Sequence, residues 1–510
     1  VAGALHASVP VGSAVGVVGQ RHALAYSAVL GTLYAGCHYV PLQAHAPVQK
    51  LVSILKTAGI RCLVGEATAL TQLTEQLAQV GELGLIDVLV SDEAPSCPDR
   101  RWVNLTTQAP AQALRAPVAV DDEALAYVLF TSGSTGQPKG VQVTRANVTA
   151  YLQALGQCWD LEPGFRASQF HDFSFDPSVS DLFNTWRLAG ELCVVPTQAL
   201  LTPLAFIQAN DLQVWSSVPS IGVFMQRLGM LKPGAMPSLR ISRFAGEPLP
   251  VSMAQAWSLA TPNGRVENHY GPTEATVDVS RHVFVPSDTA SASGRIVPIG
   301  RAFPGMTLKV VDERGHPVVP GEVGELVFAG PQVSRGYLGD PVKTAQQFVR
   351  FDWDISRQIW YRSGDRAVVN ANGELECLGR IDHQIKLSGK RVDLGDIESV
   401  LSALPGLTGL VVVPLKDANG HVTQLAAVTE QALTDEDKQR ARTQALAHLD
   451  KVFFPSVWCQ VEAMPRMVSG KIDRKALVDW VAQRLATKST MRSTESSKAG
   501  SKLTLEKSTP

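Results

Sequence analysis

The chain has 510 residues, too many for a single hydrophobic core, so two or more domains are expected. Apolar residues make up 45% and charged ones 18%, a balance that excludes a disordered chain and fits an ordinary globular protein. With 46 basic and 47 acidic side chains the formal net charge is −1, so electrostatics gives no reason to expect a nucleic-acid or membrane partner.

Cys37, Cys62, Cys97, Cys158, Cys193, Cys377 and Cys459 are scattered, with no CxxC pair or metal-ligand spacing. They read as free, structural thiols in a reducing cytoplasm. No apolar run reaches the roughly 18 residues that a membrane span needs, and no secretory signal is visible.

The opening Gly12 to Gly19, followed by Leu24 to Leu30, reads as a short buried strand running into a helix. A chain that starts at Val1, so close to a core strand, is expected to lack an N-terminal piece. Up to about Gly300, the apolar runs Ala14–Val18, Tyr127–Phe130, Leu192–Val195 and Val214–Val218 alternate with helical patterns such as Val148–Leu155 and Pro203–Asn210. That alternation predicts an α/β domain of mostly parallel sheet with helices packed on its faces, over residues 1–300.

From Arg301 to residue 381 the texture changes to strands, including Leu308–Asp312 and Gly324–Ala329, separated by Gly and Pro turns. This predicts a β-rich subdomain of the large domain. A small α+β domain follows over 382–486, with a helix at Asp396–Leu404, a strand at Gly409–Val413 and a helix at Asp435–Leu449. The Ser-, Thr- and Lys-rich tail over 487–510 carries too few apolar residues to offset its ordering entropy and is expected to be disordered.

The most informative stretch is Tyr127-Val-Leu-Phe-Thr-Ser-Gly-Ser-Thr-Gly-Gln-Pro-Lys-Gly-Val141. An apolar strand ends at Phe130. Gly133 and Gly136 then let backbone N–H groups converge on an anion, Thr131, Ser132, Ser134 and Thr135 add hydroxyl donors, and Lys139 adds a positive charge. The Walker spacing fails because Gly140 follows Lys139.

Thr-Ser-Gly-Ser-Thr-Gly-x-Pro-Lys-Gly resembles the signature loop of the acyl-adenylate-forming superfamily, closest to the adenylation domains of nonribosomal peptide synthesis and to stand-alone amino acid–carrier protein ligases. Further segments follow in that family's order: Leu33 to Leu42, Ala245-Gly246-Glu247, Asn268-His-Tyr-Gly-Pro-Thr-Glu274, Ser334 to Leu338, Tyr361-Arg-Ser-Gly-Asp365, Gly379-Arg-Ile-Asp-His-Gln-Ile-Lys386 and Ser469-Gly-Lys-Ile-Asp-Arg-Lys475.

The resemblance implies an ATP- and Mg²⁺-dependent ligase. It would adenylate an amino acid, release pyrophosphate and pass the acyl group to a phosphopantetheinylated carrier protein. The loop 131–136 and Lys139 would hold the β- and γ-phosphates. Gly246, Glu247, Asn268 and Tyr270 would form the adenine side. Thr273 would contact the α-phosphate, Glu274 would ligate Mg²⁺, and Asp365 and Arg380 would contact the ribose and nucleotide. Asp382 would be the hinge, and Lys471 would bridge substrate carboxylate and nucleotide.

Phe173-Ser-Phe-Asp-Pro-Ser-Val-Ser-Asp-Leu-Phe183 resembles the segment whose Asp pairs with the substrate α-ammonium in amino-acid-activating members, which assigns that role to Asp176. Asp-Pro-Ser is also a good helix start, so Asp176 is equally a helix-cap candidate. The remaining substrate positions carried over are Pro177, Ser180, Ser216, Arg243, Ala245, His269, Val277 and Asp278. Arg243, His269 and Asp278 make this set polar, so a polar or acidic substrate side chain is expected, with proline left open by Ala245, His269 and Val277. No LGGxS carrier motif follows Leu485, which leaves a stand-alone ligase or an excised domain. An acyl-CoA synthetase of the same fold and a non-catalytic relative are the alternatives.

Overall fold

The computed structural model describes residues 1–19, 21–97, 100–108, 113–131, 138–286, 296–382, 384–387, 390–402, 404, 407, 409–417, 422–466 and 472–485. The expected disordered tail lies outside them. The chain divides into two compact units, Val1–Val392 and a second beginning at Asp393.

Two seven-stranded sheets build the first unit. In the first, Ala14–Val18 lies between Cys62–Gly65 and His38–Leu42, all parallel, and only the edge strand Lys139–Thr144 runs antiparallel to its neighbour Leu125–Thr131. Ala14–Val18 is buried at every position, as a parallel strand covered on both faces must be. Helices Ala23–Tyr34 and Val48–Ala58 cover it.

In the second sheet, Glu191–Val194, Arg166–Gln169, Val214–Ser217, Ile241–Ala245 and Arg265–Tyr270 run parallel, Ser280–Phe284 turns back antiparallel to Arg265–Tyr270, and Arg301–Ala302 lies antiparallel to Ser280–Phe284 at the edge. Helix Val251–Ala260 packs Met253, Ala254 and Trp257 into the core on one face of that sheet, with Phe244 edge-on to Trp257.

The expected β-rich segment forms a third, antiparallel sheet inside the first unit. It comprises Thr307–Val311, Val323–Ala329, Trp360–Val369 and Phe348–Val349, with Leu375–Arg380 paired to Trp360–Val369. Gln384–Leu387 then pairs with Lys390–Asp393, and the division between the units falls at the far end of that pair. The second unit contains helix Leu394–Ser402 and a three-stranded sheet of Val411–Lys416, Val422–Thr429 and Val457–Gln460. Helix Asp435–Ala445 and a closing helix over 474–485 complete it. Helix Asp435–Ala445 opens on a Thr434–Asp437 capping box with three acids in its first turn, which complements the positive end of its dipole.

All seven cysteines are free, and no described helix is long and apolar enough to cross a membrane.

Candidate active site

The site gathers at the C-terminal ends of the parallel strands of the second sheet, where open α/β sheets place their ligands. Register explains which side chains meet. Ser216 lies beside Arg243, and Arg243 beside Glu267, in three adjacent strands. Two residues further on the same face, Ala245 lies beside His269. After Tyr270 the chain turns sharply. A Cβ on Gly271 would meet the Val277 carbonyl oxygen at 2.3 Å, so only glycine allows this crossing.

Within that turn Thr276 and Val277 hold positive φ values of 54° and 72°. This is costly for β-branched residues and survives only where the surroundings enforce it. The enforcement is visible. Thr276 Oγ1 donates to the Gln332 carbonyl at 2.7 Å, and Gln332 Nε2 donates to the Asp278 carbonyl at 2.7 Å. The strained turn therefore fixes Thr273 and Glu274 on one side and Asp278 on the other.

Glu274 is fully buried. Its Oε1 accepts from the Tyr337 hydroxyl at 2.8 Å and from Lys139 Nζ at 3.3 Å, and Lys139 lies 4.8 Å above the Tyr337 ring. Lys139 is the first residue of its strand, so the expected phosphate loop ends on a cation already joined to the expected metal ligand. At the loop's other end Thr131 Oγ1 is buried with no hydrogen-bond partner among the described residues. Ser132 to Gly136 lie outside the described residues, as does Lys471.

Tyr270 donates its hydroxyl to Asp365 Oδ2, and Arg380 Nη1 reaches Asp365 Oδ1 at 3.2 Å. Burial pushes the Tyr270 phenol well above its ordinary value, and the Asp365 carboxylate adds to this. Arg380 also holds Asp382, Nε to Oδ1 at 2.9 Å and Nη2 to Oδ2 at 2.6 Å. Asn268 donates Nδ2 to the carbonyls of Val297 and Pro298. Gly246 sits at φ +91°, a left-handed bend after the strand, and Glu247 accepts from the Ser220 N–H at 3.0 Å.

Asp176 occupies the N-cap position of a helical segment that begins with Pro177 and passes through a π-helical turn over Ser180–Asn184, but its side chain makes no cap hydrogen bond. Its Oδ2 is buried with no hydrogen-bond partner among the described residues. Burial pushes this carboxyl up to about 7. The Thr273 hydroxyl and the Lys386 ammonium oppose the shift, while the Asp278 and Glu274 carboxylates add to it. Of the two sequence readings of Asp176, capping is therefore not the one its side chain performs.

The polar-pocket expectation needs correction. Arg243 Nε and Nη2 reach Asp278 Oδ2 at 3.1 and 2.5 Å, and Nη1 donates to Ser216 Oγ at 2.8 Å. His269 bridges Glu267 (2.8 Å) and Asp278 (3.1 Å). Arg265 and Arg281 close on the other oxygen of Glu267 at 2.6 and 3.1 Å. Burial works to raise both carboxyls, but it is outweighed: His269 and Arg265 bring Glu267 down to about 2, and Arg243 and His269 hold Asp278 well below the usual carboxylate range. These groups satisfy one another, so they do not require a polar substrate side chain.

Glu267 has an expected signature in acid. Its folded pKa of about 2 lies below the ordinary 4.5, so its stabilising contribution is present above pH 4.5 and is lost as pH falls through 2. Melting curves of wild type and Glu267→Gln should differ most at neutral pH and converge towards pH 2.

A family model described as "AMP-binding enzyme" matches residues 1–338, the part of the chain that carries Lys139, Tyr270, Glu274 and Tyr337. The chain belongs to the AMP-binding enzyme family. It is 32% identical over 94% of its length, and 91% of the relative's, to a D-alanine–D-alanyl carrier protein ligase of Lacticaseibacillus rhamnosus. It is 31% identical to a dimodular nonribosomal peptide synthase of Bacillus subtilis, over 88% of this chain but only 19% of that one. The adenylation domain AlmE of Vibrio cholerae, solved with glycyl-adenosine-5'-phosphate, superposes with a TM-score of 0.82 at 30% identity, covering 92% of this chain and 89% of that one.

Two residues central to this AMP-binding enzyme's site were not singled out from the sequence. Tyr337 lies in the Ser334–Leu338 segment, to which the sequence assigns no role, yet it donates to Glu274. Glu267 carried the visible signal of an acid two residues from His269 on the same strand, but its partners are set by strand register.

Proposed function

We propose that this chain activates an amino acid with ATP, releases pyrophosphate and transfers the resulting aminoacyl group to the phosphopantetheine thiol of a carrier protein. The observation that carries this is Asp176: a buried carboxylate oxygen without a hydrogen-bond partner among the described residues, in a segment where an α-ammonium would supply one. The relatives named above, a D-alanine–carrier protein ligase and a domain holding glycyl-adenosine phosphate, support an amino acid over other acids.

Asp176 binds the α-ammonium, and Thr273, hydrogen-bonded to it, lies where it can contact the α-phosphate that the substrate carboxylate attacks. Thr131 and Lys139, with residues 132–136 between them, hold the β- and γ-phosphates. Asp365, fixed by Tyr270 and Arg380, accepts from the ribose hydroxyls. Asn268, whose amide donors are engaged, presents its acceptor to the adenine amine, and Gly246 and Glu247 border that side. Lys471 bridges the substrate carboxylate and the nucleotide, offsetting the repulsion of two anions. Asp382, held by Arg380, is the pivot about which the second unit turns between the two half-reactions.

No group of three or more His, Cys, Asp and Glu side chains that could cage a metal occurs among the described residues. A single buried carboxylate, Glu274, fits Mg²⁺, which usually takes one or two protein carboxylates and completes its shell from phosphate and water. When bound there, Mg²⁺ neutralises the pyrophosphate leaving group. Seven free thiols suit a cytoplasmic setting.

The reading is tested by incubating the enzyme with ATP, amino acids and a pantetheinylated carrier protein, then measuring carrier mass. A thioester-linked aminoacyl group on the carrier, with little on free CoA, is expected. Equal loading of CoA would place the chain with acyl-CoA synthetases, and nucleotide binding without pyrophosphate release would make it a non-catalytic relative. Lys471→Ala should lower amino-acid-dependent pyrophosphate exchange by about 10²-fold or more with no change in melting temperature.

A further inference from the structure

The side-chain end of the substrate site is closed. Ser180, Ser216, Arg243, His269, Val277 and Asp278 are each at most 3% exposed, although all six were carried over as lining residues. A roomy cavity open to the nucleotide side would leave its lining accessible to water. The space is taken by the protein itself. Arg243, fully buried, extends across from its strand to Ser216 and Asp278, and the Tyr151 hydroxyl approaches the same Asp278 oxygen at 3.3 Å. His269 and Tyr151 are backed by the ring of Phe303.

Charge closes the site as firmly as volume does. A substrate carboxylate would look to Arg243, whose Nε and Nη2 are engaged by Asp278 and Nη1 by Ser216. A substrate ammonium would look to Asp278 or Glu267, which are held by Arg243, His269, Arg265 and Arg281. Breaking either arrangement leaves a buried charge uncompensated, so ionic side chains are rejected as well as bulky ones. Asp176 Oδ2 is a buried polar atom with no hydrogen-bond partner among the described residues, and it recognises the α-ammonium that every amino acid shares.

We infer that the Arg243–Asp278–His269–Glu267 cluster is a plug that restricts the substrate side chain to a hydrogen or a methyl group, so that glycine or alanine is the amino acid activated. This rests on the amino-acid adenylation reading. Arg243 is the specificity-determining residue, acting by filling the site and not by pairing with the substrate.

The test is pyrophosphate exchange with glycine, both enantiomers of alanine, serine, valine, leucine, aspartate, ornithine and phenylalanine, for wild type and for the double variant Arg243→Ala/Asp278→Ala, which removes the pair together. For wild type, kcat/KM should be highest for glycine or alanine and at least about tenfold lower for valine and every larger or charged member. In the folded double variant, that discrimination against valine and leucine should shrink by about tenfold or more. A wild type that prefers aspartate, ornithine, leucine or phenylalanine overturns the plug while leaving adenylation intact. So does a folded double variant with unchanged ranking. If the double variant does not fold, the wild-type ranking alone decides. No exchange with any member overturns the adenylation reading itself, and the plug with it.

Discussion

Asp176→Asn is expected to lower kcat/KM for the amino acid by about 10²–10³-fold, since leaving one member of a buried ion pair without its partner costs about 3–5 kcal/mol and each 1.4 kcal/mol is tenfold. The same substitution should raise the melting temperature at pH 8. The wild-type carboxyl is pushed up to about 7 in the folded chain against an ordinary 3.8, so the stability linked to its protonation is fully present below pH 3.8 and lost as pH rises through 7. Asparagine removes that loss. A residue that served as a helix cap would show little change in stability, because asparagine caps a helix about as well as aspartate.

A pH profile sharpens the point. kcat/KM reports the free enzyme, so it should fall as pH drops below about 7, where Asp176 takes up a proton and can no longer meet an ammonium. In Asp176→Asn that limb should disappear from the residual activity. Asp278, Glu274 and Lys386 are the charged groups that set this limb, with the Thr273 hydroxyl hydrogen-bonded to the carboxyl.

Asp278→Ala is expected to be the most destabilising single change in the site, by about 3–5 kcal/mol, because it leaves the Arg243 guanidinium charged and buried opposite an alanine. Arg243 cannot escape by deprotonation. A guanidinium keeps its proton even when buried without its carboxylate partner, and in the wild type the Asp278 carboxylate outweighs burial and holds it above its already high ordinary value. Chemical denaturation of the two variants side by side separates the cases. Asp278→Ala should shift the first transition strongly downward, whereas Arg243→Ala/Asp278→Ala should lose less. Equal losses would mean that the charge pair is not what makes Asp278 matter.

The fold was readable where chemistry is local. Ala14–Val18 declares itself as a buried parallel strand by five consecutive small or apolar residues, and the structure gives it those bounds. Thr434 and Asp437 mark a helix start three residues apart, and that helix begins at Asp435. What could not be read is what register decides. Arg243 and Asp278 are 35 positions apart, and their pairing follows from the alignment of adjacent strands and the strained turn at Thr276 and Val277. Without that information, three polar residues look like a polar pocket. With it, they form a self-neutralised wall. That Asp176 Oδ2 finds no hydrogen-bond partner among the described residues is equally invisible in sequence, since a capping and a non-capping Asp-Pro-Ser read the same.

The most direct test of the account is amino-acid-dependent ATP–pyrophosphate exchange by the wild-type chain, measured with and without Mg²⁺. Exchange should require both the metal and an amino acid, and should fail when the α-amine is absent, as with acetate or propionate in place of glycine or alanine. Exchange supported equally by acetate or propionate would contradict the role of Asp176, and no exchange with any acid would contradict adenylation itself.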